Sequence, residues 1–99
     1  MNESALVRNC IETLQEFGPT FRLNAGTFNR GGRKIVGLPR GCSDVLHVRP
    51  DGVCCFIECK AGNNTATPEQ QKFLDRMRAA GARAGVAKNV TEAMLLCGY

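Results

Sequence analysis

The sequence predicts an α/β sandwich in which a small mixed β-sheet is flanked by helices. Three observations predict it: an amphipathic helical pattern at the start, two strand patterns joined by "PDG" in the middle, and a strand between two helical patterns at the end. The 99 residues are 43% hydrophobic and 22% charged, which suits one compact domain spanning residues 1–99. The predicted order of elements is α-β-β-β-β-α-β-α.

The first half of the chain contains one helix and two short strands in this interpretation. Residues 3–17 carry apolar side chains at the helical period, up to and including Phe17, and "GP" at 18–19 ends the helix. A strand follows at 20–24. Residues 25–40 are rich in glycine and in basic residues, so we expect a mobile loop with one short strand near 34–36.

The second half begins with a predicted β-hairpin. The runs "SDVLHVR" and "VCCFIECK" flank "PDG", which is typical of a type I turn followed by a glycine bulge. Thr67 to Gln70 form a predicted capping box that opens a helix, and Gly81 ends it. A short strand near 82–88 and a helix at 91–97 complete the predicted sandwich.

Composition narrows the possible classes of protein. The beginning of the chain has no signal-peptide pattern, and no run approaches the roughly 18 apolar residues of a membrane span, so we expect a cytoplasmic protein. Six cysteines without C-x-x-C spacing are expected to be buried thiols, including Cys54, Cys55 and Cys59. His47 is expected to lie half-buried or at the surface. The net charge of +4 suits a polyanionic partner without requiring one.

Two acids and a lysine occupy strands that otherwise resemble a core. If the turn pairs Arg49 with Val53, the same register places Asp44 directly opposite Glu58. Opposite side chains share a face with Cβ atoms about 5 Å apart, so two carboxylates there repel unless a positive charge lies between them. Lys60 projects from that same face, two residues beyond Glu58.

This arrangement predicts a site for a divalent cation. Mg²⁺ binds hard oxygen ligands, commonly one or two carboxylates together with phosphate oxygens and water. The backbone carbonyl of Cys59 could add a ligand, and Lys60 could hold or deprotonate an attacking water or neutralise charge on a phosphate. The structural alternative is an ion-paired hairpin in which Lys60 merely neutralises the two acids.

Two further polar residues lie on apolar helical faces. Glu3 falls within the apolar stripe of the first helix and so faces inward, the alternatives being that it frays into solvent in the first turn or favours the helix dipole. Gln70 falls on the core side of the later helix, although its place in the capping box explains it without any active site.

The order "GCSD" followed by "ECK" resembles the signature of the PD-(D/E)XK nuclease superfamily. Within it, the chain resembles a stand-alone VRR-NUC domain, the virus-type replication-repair nuclease found in many small phage proteins. The likeness covers nearly the whole chain: an acid in the first helix, "GCSD", "ECK", and then "TPEQQKFLDRMRAAGARAGV". Ser43 stands where the signature often has proline. The resemblance implies a restriction-endonuclease-like core.

The resemblance also implies an activity, a Mg²⁺- or Mn²⁺-dependent endonuclease that hydrolyses phosphodiester bonds in DNA, often at flapped or four-way junction structures. Small stand-alone members are similar to Holliday-junction resolvases and act as homodimers, with no small-molecule cofactor or membrane partner. Carried over by position, Asp44 and Glu58 bind the metal and Lys60 serves the attacking water. Glu3 matches the helix-borne acid, and Gln70 matches the glutamine that opens the later helix.

Substrate binding is expected to depend on basic residues near the glycine-rich segment. Lys and Arg contacts to phosphates usually supply much of the affinity for DNA. The candidates are Arg22, Arg30, Arg33, Lys34 and Arg40, and the alternative is a solvated loop. Symmetric cleavage of a four-way junction would need two catalytic centres, which favours a homodimer.

Two other functions remain open from the sequence. One is a nucleic-acid-binding or regulatory module that keeps the basic segment but has no productive chemistry. The other is a cysteine-based metal or redox protein, which the cysteine spacing disfavours.

Overall fold

The computed structural model describes residues 1–23, 27–36 and 38–99, and of residues 27–30 and 34–36 it describes the backbone alone. Within these ranges, no helix is long and apolar enough to cross a membrane. The elements are α1 (Glu3–Leu14), β1 (Thr20–Arg22), β2 (Thr27–Arg30), β3 (Arg33–Val36), β4 (Val45–Val48), β5 (Cys54–Cys59), α2 (Pro68–Ala79), β6 (Arg83–Ala87) and α3 (Val90–Leu96).

Four of these strands form one mixed sheet in the order β1-β4-β5-β6. Strand β4 pairs antiparallel with β1 and β5, whereas β6 runs parallel to β5. A parallel pair requires a crossover connection, and α2 provides it between β5 and β6. The predicted class, a small mixed sheet flanked by helices, is confirmed.

The two faces of the sheet have different roles. Successive side chains of a strand point to opposite faces, and in β5 the residues Cys55, Ile57 and Cys59 join the hydrophobic core with α1 and α3. On the other face, Phe56 contacts Phe73 of α2 at a ring-centroid distance of 5.6 Å. Glu58, two residues after Phe56, therefore lies on the face that α2 covers.

The predicted hairpin and its register are confirmed. In the turn, the Gly52 N–H donates to the Arg49 carbonyl at 2.8 Å, and Gly52 has a φ of 86°. Positive φ at this position is typical of the glycine bulge. The Arg49 N–H donates to the Val53 carbonyl at 2.9 Å, and β4 pairs with β5 from Val48 opposite Cys54 to Val45 opposite Ile57.

One strand was not predicted. Residues 27–30 were expected to be loop, but they form β2, which pairs with β3 in a separate two-stranded sheet. The turn between them is Gly31-Gly32, with φ values of 58° and 77°. Two central residues with positive φ are the requirement of a type I′ hairpin, and Gly-Gly satisfies it. The end of the predicted strand at 20–24 and parts of the predicted mobile loop lie outside the described residues.

Three sequence expectations about burial are wrong. Helix α1 ends at Leu14, so Phe17 is not part of its buried stripe and is 41% exposed. The chain turns at Gly18, where a Cβ atom would lie 2.2 Å from the Val48 carbonyl oxygen. Of the six cysteines expected to be buried, Cys42 and Cys54 are half-buried: Cys42 lies in the loop before β4, and Cys54 points to the other face of β5 from Cys55. His47 is completely buried instead of half-buried or exposed.

The burial of His47 is explained by hydrogen bonds at both ring nitrogens. The Thr20 hydroxyl donates to the Gly18 carbonyl, so it accepts from His47 Nδ1, 2.7 Å away. The Nε2 atom is then the acceptor, and the Tyr99 hydroxyl donates to it at 2.7 Å. Burial, followed by the nearby Arg49, lowers the pKa of His47, which keeps the imidazole neutral.

We predict that Tyr99→Phe lowers the free energy of unfolding by about 1–2 kcal/mol, because it leaves a buried acceptor on His47 without a donor. Urea denaturation followed by circular dichroism measures the change. Leu95→Ala, at a neighbouring residue that is 62% exposed, is the control and should have little effect. Equal midpoints for Tyr99→Phe and the unsubstituted chain would contradict the assignment.

Candidate active site

The hairpin brings Asp44, Glu58 and Lys60 together, as the register predicts. Asp44 directly precedes β4, and its backbone N–H donates to the Ile57 carbonyl at 3.1 Å. On its other side, the Asp44 carbonyl accepts from the Leu23 N–H at 2.8 Å. These two bonds fix the Asp44 backbone between the β1 and β5 sides of the sheet.

The Asp44 side chain makes a hydrogen bond that the sequence did not predict. Its Oδ2 atom accepts from the backbone N–H of Cys59 at 2.8 Å. The bond lies just before the first residue of β4, where it continues the pairing of β5 with a carboxylate in place of a backbone carbonyl. It holds the Asp44 carboxylate against the end of β5, beside Glu58.

Glu58 is the most constrained ionisable group of the site. It is only 2% exposed, and its Oε2 atom has no hydrogen-bond partner among the residues that the structure describes. Its Oε1 atom lies 3.7 Å from Lys60 Nζ. Burial, followed by the charge of Asp44, raises the pKa of Glu58 to about 7, although Lys60 acts in the opposite direction.

These residues fit a hard divalent cation. A buried carboxylate oxygen without a partner is costly, and a cation beside it would satisfy that oxygen and also relieve the repulsion from Asp44. In a strand, the N–H and C=O of one residue point to the same neighbour, so the Cys59 carbonyl also faces the side of Asp44. Across the described ranges, no group of three or more His, Cys, Asp or Glu side chains converges. Water and substrate oxygens would therefore have to complete the coordination of a cation held by this pair.

Glu3 lies near this site but has other partners. Its Oε1 atom accepts from Asn64 Nδ2 at 2.8 Å and from the Ala61 N–H at 3.3 Å. The hydrogen bond from Asn64, followed by that from Ala61, lowers the pKa of Glu3. Glu3 thus anchors the loop that begins directly after Lys60, and its role as a metal ligand stays a prediction.

Gln70 completes the capping box of α2, as predicted. The Thr67 N–H donates to Gln70 Oε1 at 2.9 Å, while the Gln70 N–H donates to the Thr67 hydroxyl. The segment before Asp44 packs on this turn, since a Cβ atom on Gly41 would lie 2.5 Å from the Glu69 carbonyl oxygen. Gly41 also has a φ of 81°, so glycine is required there for two reasons. This contact connects "GCSD" to the helix that carries Gln70.

The predicted DNA-binding residues lie in different places. Arg22 pairs opposite Val45, whose side chain is in the core under α1, so Arg22 lies on the opposite face from Glu58. Arg40 is exposed, with Nε 3.6 Å from the Glu69 carboxylate. Arg33 is exposed beside the Gly31-Gly32 turn, whereas the side chains of Arg30 and Lys34 lie outside the described residues.

We predict that Glu58→Gln stabilises the protein at pH 8, by up to about 3 kcal/mol, when divalent cations are chelated. The pKa of Glu58 is raised from 4.5 to about 7, so the folded state binds a proton more tightly and stability falls as pH rises through that window. Glutamine carries no charge, and its amide can donate to Asp44. The gain should therefore shrink towards zero as pH falls to 4.5.

Urea denaturation at several pH values tests this expectation. Glu12→Gln removes an exposed acid from α1 and is the matched control. A stability difference that does not vary between pH 5 and pH 8 would show that Glu58 is an ordinary carboxylate.

Comparisons with known proteins identify the fold. No protein-family model matches the sequence, and neither does any curated protein. A solved structure described as a "VRR_NUC domain" is similar, with a TM-score of 0.69 at 23% sequence identity, over 98% of this chain and 95% of that chain. The resemblance suggested by "GCSD" and "ECK" is thus confirmed in three dimensions: the chain has the fold of a VRR_NUC domain.

Proposed function

We propose that this protein is a metal-dependent endonuclease that hydrolyses phosphodiester bonds in DNA. One observation carries the proposal: the buried Oε2 atom of Glu58 has no partner among the described residues, although the carboxylate lies beside Asp44 and Lys60. A hairpin that served only as structure would gain stability from an uncharged residue at this position. The VRR_NUC domain fold supports the same activity.

The acidic pair and one backbone carbonyl would hold the cation. Asp44 and Glu58 supply carboxylate oxygens, the Cys59 carbonyl faces the same side, and Glu3 is the candidate for a further ligand from α1. When bound, Mg²⁺ or Mn²⁺ supplies a Lewis acid that polarises a phosphate and lowers the pKa of a coordinated water. The bond from the Cys59 N–H keeps the Asp44 carboxylate in one orientation for this role.

Lys60 and Gln70 would act on the substrate side of the site. The side chain of Lys60 is only 12% exposed, so its ammonium group is held near Glu58 instead of moving freely in solvent. From there it can donate hydrogen bonds to an attacking water or to a phosphate oxygen that gains negative charge. The Nε2 group of Gln70 can donate in the same way, because the capping box uses its Oε1 atom.

The substrate we propose is branched DNA, cut by a homodimer. Exposed cations at Arg33 and Arg40 would contact phosphates, and the backbone of the β2–β3 hairpin can approach them closely at its two glycines. Arg22 lies on the opposite sheet face, where it would contact a more distant part of a branched substrate. Two identical centres would allow both strands of a four-way junction to be cut.

We predict that the unsubstituted chain cleaves DNA only with Mg²⁺ or Mn²⁺, and that Glu58→Gln abolishes cleavage while changing DNA affinity less than about twofold. The substitution removes a metal ligand but no phosphate contact. Labelled linear, flapped and four-way DNA, resolved on denaturing gels, measures the products. Mg²⁺ should also raise the melting temperature of the unsubstituted chain, through preferential binding to the folded state, but not that of Glu58→Gln.

Glu12→Gln, with its exposed acid on the same helix as Glu3, should retain cleavage and the response to Mg²⁺. Full activity of Glu58→Gln, or cleavage with the cations chelated, would overturn the proposed centre. Binding of DNA without cleavage under any cation would favour a non-catalytic nucleic-acid-binding module instead.

We predict that Arg30→Ala combined with Arg33→Ala weakens binding to all DNA sequences alike. If both guanidinium groups contact phosphates, the dependence of log K on log salt concentration should become shallower by about 2. Fluorescence anisotropy over a salt series measures the slope. Arg8→Ala, an exposed arginine on α1, is the control, and an unchanged slope in the double variant would exclude β2–β3 from the binding surface.

A further inference from the structure

A groove runs between α2 and the segment that precedes Asp44. We call it the α2 groove. Its volume is about 380 Å³, which lies within the range of small-molecule sites. The residues that line it are Glu69, Lys72, Phe73, Arg76 and Met77 on α2, with Pro39 and Arg40 opposite.

The groove combines an apolar strip with positive charges. Phe73 and Met77 are four residues apart on α2, so they lie one above the other on a single helical face, and both are half-buried. Lys72 and Arg76 repeat the same spacing one residue earlier, which places an exposed cationic row beside the apolar one. Arg40 adds a third cation from the opposite wall.

These cations are available for a ligand. Among the residues that the structure describes, neither Lys72 nor Arg76 has a carboxylate within 4.0 Å, whereas the next arginine on the helix, Arg78, pairs with Asp75. Arg40 has a carboxylate neighbour in Glu69, but its side chain is 85% exposed and the contact of 3.6 Å is weak. The groove therefore favours an anion that also carries apolar surface.

Each side of the groove is connected to the part of the chain that carries Asp44 or Glu58. On the helical side, Phe73 contacts Phe56 edge to face, and Phe56 precedes Glu58 by two residues on the same face of β5. On the other side, Arg40 is followed by Gly41, which packs against the first turn of α2 three residues before Asp44. A chain lying in the groove would thus be directed towards the candidate active site.

We propose that the α2 groove binds an unpaired nucleotide strand, with phosphates on Lys72 and Arg76 and a base against Phe73. An intact duplex presents phosphates on its outside while its bases are stacked and paired, so it could use the cations but not the apolar strip. An unpaired strand offers both, because every base has a face that can stack on an aromatic ring. The inference rests on the proposed nuclease function and specifies its substrate as DNA with a single-stranded portion.

The test compares binding of a labelled oligothymidylate with binding of a duplex of equal length, by fluorescence anisotropy with divalent cations chelated. Lys72→Ala combined with Arg76→Ala should weaken oligothymidylate binding at least tenfold, and it should also weaken duplex binding, because duplex phosphates can use the same two cations. Phe73→Leu should weaken oligothymidylate binding about fivefold or more and leave duplex binding unchanged. Phe73→Tyr, which keeps an aromatic ring, should bind like the unsubstituted chain.

The control is Arg8→Ala on α1, which should change neither affinity. The proposal is overturned if the unsubstituted chain does not bind oligothymidylate, if Phe73→Leu weakens binding of oligothymidylate and duplex equally, or if Phe73→Leu matches Phe73→Tyr. These binding measurements do not depend on cleavage, so they test the α2 groove independently of the active site. The cation-dependent cleavage assay with Glu58→Gln tests the active site alone.

Discussion

The hydrogen bond from the Cys59 N–H to the Asp44 carboxylate is the interaction on which the candidate site depends. It holds one negative side chain beside a second, Glu58, that is almost completely buried. Burial, followed by the like charge of Asp44, raises the pKa of Glu58 to about 7. The sheet prevents the two acids from separating, because both are attached to paired backbone. The cation that we propose would therefore meet two carboxylates that the sheet already holds side by side.

The same strand also builds the hydrophobic core. In β5, Cys55, Ile57 and Cys59 face α1 and α3, and the alternation of side chains then places Glu58 on the face of α2. A slip of one residue in the β4–β5 register would bury the acid in the core and expose the apolar set. The same β4–β5 register is consequently needed both to pack the core and to keep Glu58 on the face of α2. The turn at 50–52 helps to set that register.

The hydrophobic core and the candidate active site lie on opposite faces of the sheet. Under α1 and α3, apolar side chains form the core, and the neutral, buried His47 is hydrogen-bonded to Thr20 and Tyr99. The other face lies under α2, where Leu74 is buried and Phe73 contacts Phe56. It carries the acidic pair and continues into the α2 groove, whose cations and aromatic ring would hold a substrate strand next to the carboxylates. Glu3, on α1, connects that helix to the candidate active site, because it accepts hydrogen bonds from the loop that follows Lys60.

Sequence alone determined the features that depend on neighbours in the chain. The turn with its glycine bulge, the capping box at Thr67 and the register that places Asp44 near Glu58 all follow from local backbone preferences and strand alternation. The β2–β3 hairpin belongs to this class too, since "RGGR" contains its turn signal, although it was not predicted.

Tertiary structure alone decided which distant groups meet. The bond between Asp44 and Cys59, the burial of His47 by Tyr99, and the facing of Arg40 with Phe73 join residues between 15 and 52 positions apart. No local pattern encodes such contacts, because they exist only once the strands have paired and the helices have packed on both faces of the sheet.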